Sequence, residues 1–279
     1  MVSVIDLQSG ETLALTPVAG GPAPVAYDPQ AGRAYVISAK DGRLSALDGT
    51  GKILWVRDLG EGAFGLAAAP HGGLFVTDWY GAHLTRLDGD QNVLWRVETG
   101  RAPAGVAFSD DAGLVATADR DADQVSIFAA DTGHLRHKVA TGSHPYAVLF
   151  HDGKLWTTNV QSDDVTVIDP VAGETIGRIE TGSHPYGIAF AGGRGFVTNQ
   201  YAGTVTVFEV DGLKPLATLE TGDYPEGIAA LPDGTGVAVV HWESNNLIFI
   251  DAASLEMSEE IPLPDGPRAF GSFTGRRVP

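Results

Sequence analysis

The stretch TGSHPYGIAFAGGRGFVTNQYAGTVTVFEVDGLKPLATLE, residues 181–220, contains four short runs of strand-forming residues separated by turns. The runs are Gly187–Phe190, Gly195–Asn199, Thr204–Val210 and Pro215–Glu220. Each run is rich in β-branched or aromatic residues and is bounded by Gly, Asp, Asn or Pro, which favour turns. No segment shows a sustained 3.6-residue hydrophobic period, so we expect almost no helix. The stretch therefore predicts a unit of four β-strands.

This unit recurs along the whole chain. Its opening corner, TGSHPY at Thr181–Tyr186, also stands at Thr141–Tyr146, 40 residues earlier. The seven corner positions are Pro22, Ala63, Pro103, Pro145, Pro185, Pro225 and Pro267, with successive spacings of 41, 40, 42, 40, 40 and 42 residues. A four-stranded unit cannot bury both of its faces alone, and units of this length stack around an axis in propellers. The repeat predicts an all-β, seven-bladed β-propeller of four-stranded antiparallel blades, with residues 1–279 as a single domain.

The corner between units has a structural reason for its Gly and Pro. The chain must leave the outer strand of one blade and cross to the axis before the next inner strand begins. Glycine tolerates unusual backbone dihedrals at such a crossing. Proline fixes its own φ and favours an extended conformation for the residue before it. We therefore expect the residue before each corner proline to be extended.

The two ends of the chain predict how the ring closes. VSVIDLQSGETLALT at Val2–Thr16 matches VTVIDPVAGETIGRIE at Val165–Glu180, the last two strands of the fourth unit. GPRAFGSFTGRRVP at Gly266–Pro279 matches a first strand. We expect the seventh blade to be built from both termini. Only 33 residues are available for it, against 39 between the corner prolines of the fifth unit, and the deficit falls on the second strand. Either that strand is missing or displaced, or residues are lacking at an end.

A second motif follows the corner in most units. It reads FVTN at Phe196–Asn199, WTTN at Trp156–Asn159 and FVTD at Phe75–Asp78. With the Gly-x-x-Pro corner, the motif resembles the YVTN-type β-propeller repeat family over essentially the whole chain. The resemblance implies the propeller fold. It also implies a periplasmic or exported protein, whereas MVSVIDLQSG at the start of this sequence has no features of a signal peptide, so the compartment stays undetermined.

Composition narrows the classes of partner. The net charge of −17 and pI of about 4.6 disfavour nucleic acid, because such a surface repels phosphates. No run approaches the length of a membrane-spanning helix, so we expect no membrane insertion. The absence of cysteine excludes disulfides. A small molecule or a protein remains as the partner, and the sequence does not determine the oligomeric state.

The candidate site lies where the corners and the loops after the second strands meet, which we expect to be one mouth of the central channel. Half of the ring carries small residues there, and the other half carries large polar and aromatic ones that ring closure does not need. The candidate ligand-binding residues are His144, Tyr146, His184, Tyr186, Tyr224, Glu226, Arg268, Asn159, Asn199, His241, Trp242 and, across the channel, Asp78. Loops on a rigid scaffold are where binding groups accumulate.

Two functions fit this pattern. The first is a non-catalytic binding protein that holds a small ligand or a protein partner at the channel mouth. The second is an enzyme of hydrolase, lactonase or lyase type at the same mouth, with His144 or His184 as general base and Arg268 holding an anionic group. A metal held by His144, His184 and His241 is a further alternative, although no metal-ligand spacing is present and the cofactor stays undetermined. Glu226 and Arg268 alternatively form an ion pair that only bridges two corners.

Overall fold

The computed structural model describes residues 1–276, and its secondary structure is almost entirely β-strand. Two three-residue 3-10 turns, Pro70–Gly72 and Arg120–Ala122, are the only helical segments in this described part. The prediction of an almost helix-free chain is confirmed. No helix among these residues is long and apolar enough to cross a membrane.

Six four-stranded antiparallel blades follow one another along the chain, each starting with its inner strand. Blade 1 contains β3 (Pro22–Asp28), β4 (Arg33–Ser38), β5 (Arg43–Asp48) and β6 (Ile53–Asp58). Blade 2 contains β7 (Ala63–Ala69), β8 (Gly73–Asp78), β9 (His83–Leu87) and β10 (Val93–Glu98). Blade 3 contains β11 (Pro103–Ser109), β12 (Leu114–Asp119), β13 (Gln124–Ala129) and β14 (Leu135–Ala140).

The second half of the ring repeats this order. Blade 4 contains β15 (Pro145–His151), β16 (Lys154–Asn159), β17 (Asp164–Asp169) and β18 (Glu174–Glu180). Blade 5 contains β19 (Pro185–Ala191), β20 (Arg194–Asn199), β21 (Thr204–Glu209) and β22 (Lys214–Glu220). Blade 6 contains β23 (Pro225–Ala230), β24 (Gly236–His241), β25 (Asn246–Asp251) and β26 (Ile261–Pro262). The strands predicted from residues 181–220 are confirmed to within two residues at each end.

The prediction of seven blades is wrong. The N-terminal strands β1 (Val2–Ile5) and β2 (Thr12–Thr16) form a separate two-stranded antiparallel sheet. The C-terminal strand β27 (Phe270–Ser272) does not join them. It pairs in parallel with β3, so that blade 1 becomes a five-stranded sheet. No seventh four-stranded sheet exists among the described residues.

Among the described residues, no strand lies between β27 and β1, so β27 has no antiparallel neighbour in a blade of its own. Without that neighbour, β27 hydrogen-bonds to the open inner edge of β3, with Phe270 opposite Pro24. The β1–β2 sheet contacts blade 1, where the Thr16 hydroxyl donates to the Gly51 carbonyl at 2.6 Å.

The core lies between neighbouring blades. Between blades 5 and 6, Phe196 and Val207 pack in one cluster with Val237, Val239 and Ile250, all of them at most 1% exposed. The second and third strands of these blades are buried along nearly their whole length, whereas outer strands such as β6 alternate between half-buried and exposed residues. Burial of both faces requires the stacked neighbours, as expected for a propeller.

The corners differ from the expectation of an extended residue before the corner position. That residue has a left-handed φ in all seven corners: Gly21 68°, Gly62 102°, Ala102 50°, His144 53°, His184 57°, Tyr224 55° and Gly266 64°. In the six blades its carbonyl accepts the N–H of the residue that follows the second strand, as from Val160 to His144 at 3.0 Å. This repeated hydrogen bond, rather than the proline, sets the backbone of the corner.

Candidate functional site

One end of the ring, which we call the corner face, gathers the corners and the loops after the second strands. The hydrogen bonds between them join Trp79 to Gly62 at 2.7 Å, Gln200 to His184 at 2.9 Å and Trp242 to Tyr224 at 2.9 Å. The corner face therefore carries the side chains that follow each second strand beside those that flank each corner.

Four aromatic rings close the central channel at this face. The rings of Phe64, Tyr146, Tyr186 and Phe270 form what we call the aromatic plug. The Tyr146 ring lies 4.3 Å from that of Tyr186, 4.9 Å from that of Phe270 and 6.1 Å from that of Phe64, measured between centroids. Phe270 belongs to β27, so the rearranged C-terminal strand supplies a member of the plug. The predicted channel mouth is thus a floor of packed rings and not an open pore.

The two tyrosines of the plug are held by each other. The Tyr186 hydroxyl donates to the Tyr146 hydroxyl at 2.6 Å, and both residues are at most 9% exposed. Burial raises the pKa of Tyr146 to about 12 and raises that of Tyr186 well above its ordinary value. Both phenols are therefore neutral at physiological pH, and their buried polar atoms are paired.

Glu226 and Arg268 form the ion pair that the sequence offered as an alternative. Arg268 Nε donates to Glu226 Oε2 at 2.8 Å, and Nη2 donates to Oε1 at 2.9 Å. The Gln200 side chain donates to the same carboxylate at 2.7 Å. Burial opposes the charge of Arg268, but the hydrogen bonds and negative charge of Glu226 raise its pKa overall. Glu226 is 2% exposed, whereas the Arg268 side chain remains 43% exposed.

A continuous row of side chains, which we call the aromatic arc, crosses blades 5 and 6 on the corner face. The His184 ring stacks on Tyr201 at 3.8 Å between centroids. Tyr201 then contacts Tyr224 at 5.6 Å, and Tyr224 contacts Trp242 at 5.7 Å. The Arg268 guanidinium ends the row, 5.5 Å from the centre of the Trp242 ring. Tyr201 is 58% exposed and Trp242 is 38% exposed, so the arc offers ring surface to solvent.

Two members of the arc occupy strained backbone positions. His184 and Tyr224 have φ values of 57° and 55°, in the left-handed region where a side chain costs about 1–2 kcal/mol. Glycine occupies the same position at Gly21 and Gly62. Ala102 adopts the same conformation with a φ of 50°, so the strain by itself assigns no role to the His184 and Tyr224 side chains.

His144 occupies the same corner position in blade 4 but does not join the arc. Its backbone N–H donates to the Asp123 carboxylate at 2.8 Å, and its ring Nε2 lies 3.8 Å from Asp121 Oδ1. In blade 5, Ser183 Oγ lies 3.0 Å from His184 Nδ1. Both imidazoles are partly buried, that of His144 beside the blade 3 loop and that of His184 beside its own blade, and neither has a hydrogen-bonded carboxylate that would orient it as a general base.

Asn159 and Asn199 do not reach the corner face surface, although the sequence placed them at the mouth. Both are fully buried. The Asn159 amide donates to Asp164 at 2.9 Å and to Thr166 at 2.8 Å, and the Asn199 amide likewise donates to two hydroxyls, that of Thr206 among them at 2.9 Å. These asparagines join the second and third strands of their blades beneath the corners, which is a structural role.

His241 takes the same buried position in blade 6. It is fully buried, and burial lowers its pKa although the Asn246 side chain acts in the opposite direction. Within residues 1–276 no group of three or more His, Asp or Glu side chains is arranged to hold a metal ion. The structure thus does not gather His144, His184 and His241 into a common site.

The half of the ring that carries small corner residues contains a depression of about 190 Å³. Its walls are Phe64, Trp79, Tyr80 and Tyr146, and its rim includes Gly62 and Ala39. The candidate Asp78 stands beside it, accepting from the Gly81 N–H at 2.7 Å and from Arg96 at 2.9 Å. The corner residues here are small and leave this space unfilled, so the half of the ring with small corner residues contains the concave part of the corner face.

Sequence reasoning missed Phe64 as a wall of this depression, but it expected Trp79 and Tyr80 at the channel mouth. Trp79 and Tyr80 directly follow a second strand, in TDWYGAHL at Thr77–Leu84, and that position was the available signal. Tyr80 is 79% exposed, which makes it the most exposed large aromatic residue of the described chain.

Comparisons with known proteins agree with this fold and define the class as a β-propeller. No protein-family model matches the chain, and no curated protein matches it in sequence. Among solved structures, the chain is similar to a streptogramin B lyase, with TM-score 0.79 and 16% identity over 92% of this chain and 89% of that one. It is similar to Kuenenia stuttgartiensis hydrazine synthase, with TM-score 0.78 and 15% identity over 95% and 92% of the two chains.

A third similar structure is a catalytically inactive histidine-to-alanine variant of virginiamycin B lyase from Staphylococcus aureus with quinupristin. Its TM-score is 0.77 and its identity 17%, over 92% of each chain. Identities this low show a shared fold and carry no function to this chain.

Proposed function

We propose that this protein is a non-catalytic binding protein whose corner face holds a small ligand with a flat, apolar ring face. The aromatic arc carries the proposal, because it presents exposed ring surface in a continuous row ending at Arg268. Aromatic side chains bind ring faces by stacking, each contact contributing about 0.5–1.5 kcal/mol beyond area burial. The depression beside Trp79 lies in the other half of the same face and shares no residue with the arc, so the proposal rests on the arc alone.

The charge of the site supports a neutral ligand over an anionic one. Glu226 already accepts two hydrogen bonds from Arg268, so the pair has no net charge. Arg120, whose guanidinium lies 5.7 Å from the Trp79 ring centre, is likewise paired with Asp121. Recognition then depends on stacking and shape, with the exposed part of Arg268 as a hydrogen-bond donor.

Saturation-transfer NMR with two panels of small molecules, aromatic amides and neutral oligosaccharides, tests this proposal. The panel that binds shows whether the ligand carries an aromatic ring or a sugar ring. Trp242→Ala and Tyr201→Ala should each weaken binding about two- to tenfold, the range that corresponds to one lost stacking contact. Val171→Ala, which removes exposed apolar surface outside the corner face, should leave binding unchanged. Unchanged binding in the double variant Trp242→Ala/Tyr201→Ala would show that the arc is not the site. If neither panel binds, a small ligand of these two kinds is excluded and a protein partner is favoured.

A second candidate function is a lyase-type enzyme at the same face, and the similarity to streptogramin B and virginiamycin B lyases favours it. His144 and His184 would be the general bases. The lack of a hydrogen-bonded carboxylate on either ring ranks this function below the first. Incubation with quinupristin, followed by mass spectrometry, tests it directly. Conversion of quinupristin by the wild-type protein but not by His144→Ala/His184→Ala would establish the enzyme. An unchanged mass of quinupristin would exclude it as the substrate.

Membership of the YVTN-type repeat family is part of the same proposal. The support for it is the FVTN, WTTN and FVTD motifs at the ends of second strands, together with a six-bladed ring of matching units. Secretion of the native protein, measured by cell fractionation, would agree with the export that this family implies.

A further inference from the structure

The central channel contains a second cavity, separate from the corner face. It has a volume of about 390 Å³, within the range of small-molecule sites. The inner strands of all six blades line it, together with the C-terminal segment that starts at Phe270. By residue type the wall is mostly Ala, Gly, Val, Leu, Ile and Phe, and polar atoms provide almost half of its exposed surface. Within residues 1–276, no Asp, Glu, Lys or Arg side chain lines this cavity, although the chain has a net charge of −17.

The aromatic plug separates this cavity from the corner face. Phe270 lines the cavity. The centroid of its ring lies 5.8 Å from that of Phe64 and 4.9 Å from that of Tyr146. Phe64 and Tyr146 in turn line the depression on the corner face, and the two spaces share no lining residue. Within residues 1–276, the plug thus bounds the channel cavity on the side of the corner face, and the opposite end of the channel faces the other side of the ring.

Three uncharged polar side chains stand at that opposite end, where the inner strands finish. His151 stacks flat on Phe190, with ring centroids 4.1 Å apart and planes 2° from parallel. Burial lowers the pKa of His151, so its imidazole is neutral at physiological pH. Tyr27 and Thr274 complete the polar rim.

The C-terminal segment crosses the same end as a strap. The Thr274 hydroxyl donates to the Ala230 carbonyl of blade 6 at 2.5 Å, and the Tyr27 hydroxyl of blade 1 donates to the Arg276 carbonyl. Gly275 packs against the Tyr27 ring so closely that a Cβ would overlap it. The strap is thus fixed on both sides of the opening and forms part of the cavity wall.

We propose that the channel cavity is a second binding site, which takes an uncharged small molecule through the face opposite the corner face. A wall without charged side chains gives a charged ligand no ionic partner to offset the cost of leaving water. The neutral His151 imidazole can donate or accept a hydrogen bond, and the Tyr27 and Thr274 hydroxyls, whose hydrogens are already donated to backbone carbonyls, can accept from one polar end of such a molecule. The site is distinct from the ligand site proposed above, and its test does not depend on that proposal.

Titration with N-phenyl-1-naphthylamine, an uncharged fluorescent probe, tests this site in the whole protein. We expect saturable fluorescence enhancement with one site per chain. Its sulfonated relative, 8-anilinonaphthalene-1-sulfonate, should bind at least roughly tenfold more weakly, because its charge would be buried without a partner. Equal binding of the two probes, or no saturable signal, would overturn the proposal.

Ser272 allows the location to be tested without disturbing the core, because it lines the cavity and is solvent-exposed. Ser272→Phe should reduce binding of the uncharged probe by filling the space, and Ser272→Asp should reduce it at least roughly tenfold by adding a charge. Ala39→Phe and Ala39→Asp place the same side chains at the depression on the corner face and should leave binding unchanged. Loss in the Ala39 variants, or wild-type binding in both Ser272 variants, would overturn the assignment. Circular dichroism confirms that each variant is folded.

Discussion

Replacing Arg268 with alanine should destabilise the ring by about 2 kcal/mol. Breaking a fully buried ion pair by removing one partner costs about 3–5 kcal/mol, because the other charge stays buried without compensation. Glu226 is 2% exposed and meets that condition, but the Arg268 side chain is 43% exposed. Water would therefore reach the carboxylate once the arginine is gone, and Gln200 would continue to donate to it at 2.7 Å. Because of these two effects, we expect a smaller loss of stability than the cost of breaking a fully buried ion pair.

Urea unfolding followed by far-UV circular dichroism measures this loss. Tryptophan fluorescence is a poorer probe here, because the Arg268 guanidinium lies 5.5 Å from the Trp242 ring. The double variant Arg268→Ala/Glu226→Gln should be more stable than Arg268→Ala by about 1 kcal/mol, since it no longer buries an unpaired charge. A double variant that is as unstable as the sum of the two single changes would refute the reasoning, because the pair would then contribute no coupling.

Three further changes test other parts of the structure. The free energy of unfolding, measured in urea, should be about 0.5–1 kcal/mol higher for His144→Gly than for His144→Ala, because only glycine adopts the φ of 53° without strain. Equal free energies would argue against strain at the corner. Burial raises the pKa of Asp119 above 3.8, so the unfolding free energy should fall as pH rises from that value through the raised pKa. Urea midpoints measured from acid to neutral pH give this pH dependence. The fall in stability should be smaller in Asp119→Asn, and an unchanged fall would show that Asp119 does not cause it. Phe270→Ala should lower the unfolding free energy by about 3 kcal/mol by leaving a gap in the aromatic plug, and a loss under about 1 kcal/mol would show that Phe270 is not packed there.

Several features of the site were predictable from single units of the repeat. The strands within residues 181–220, the shared face of the corners and second-strand loops, and the Glu226–Arg268 alternative all follow from local patterns. The burial of Asn159 was not predictable in this way. Its role depends on acceptors at Asp164 and Thr166 in the neighbouring strand, which a position count along the chain does not reveal.

The repeating four-stranded unit could be predicted from the sequence, because turn residues and strand-forming runs act over a few neighbours in the chain. The number of blades and the closed channel could not be predicted, because they arise from contacts between distant segments. Those depend on β27 pairing with β3 at the far end of the chain and on Phe270 meeting Phe64 and Tyr146 at the axis. A short seventh segment has several possible partners, and the one it takes depends on which strand edge stays open when the ring closes.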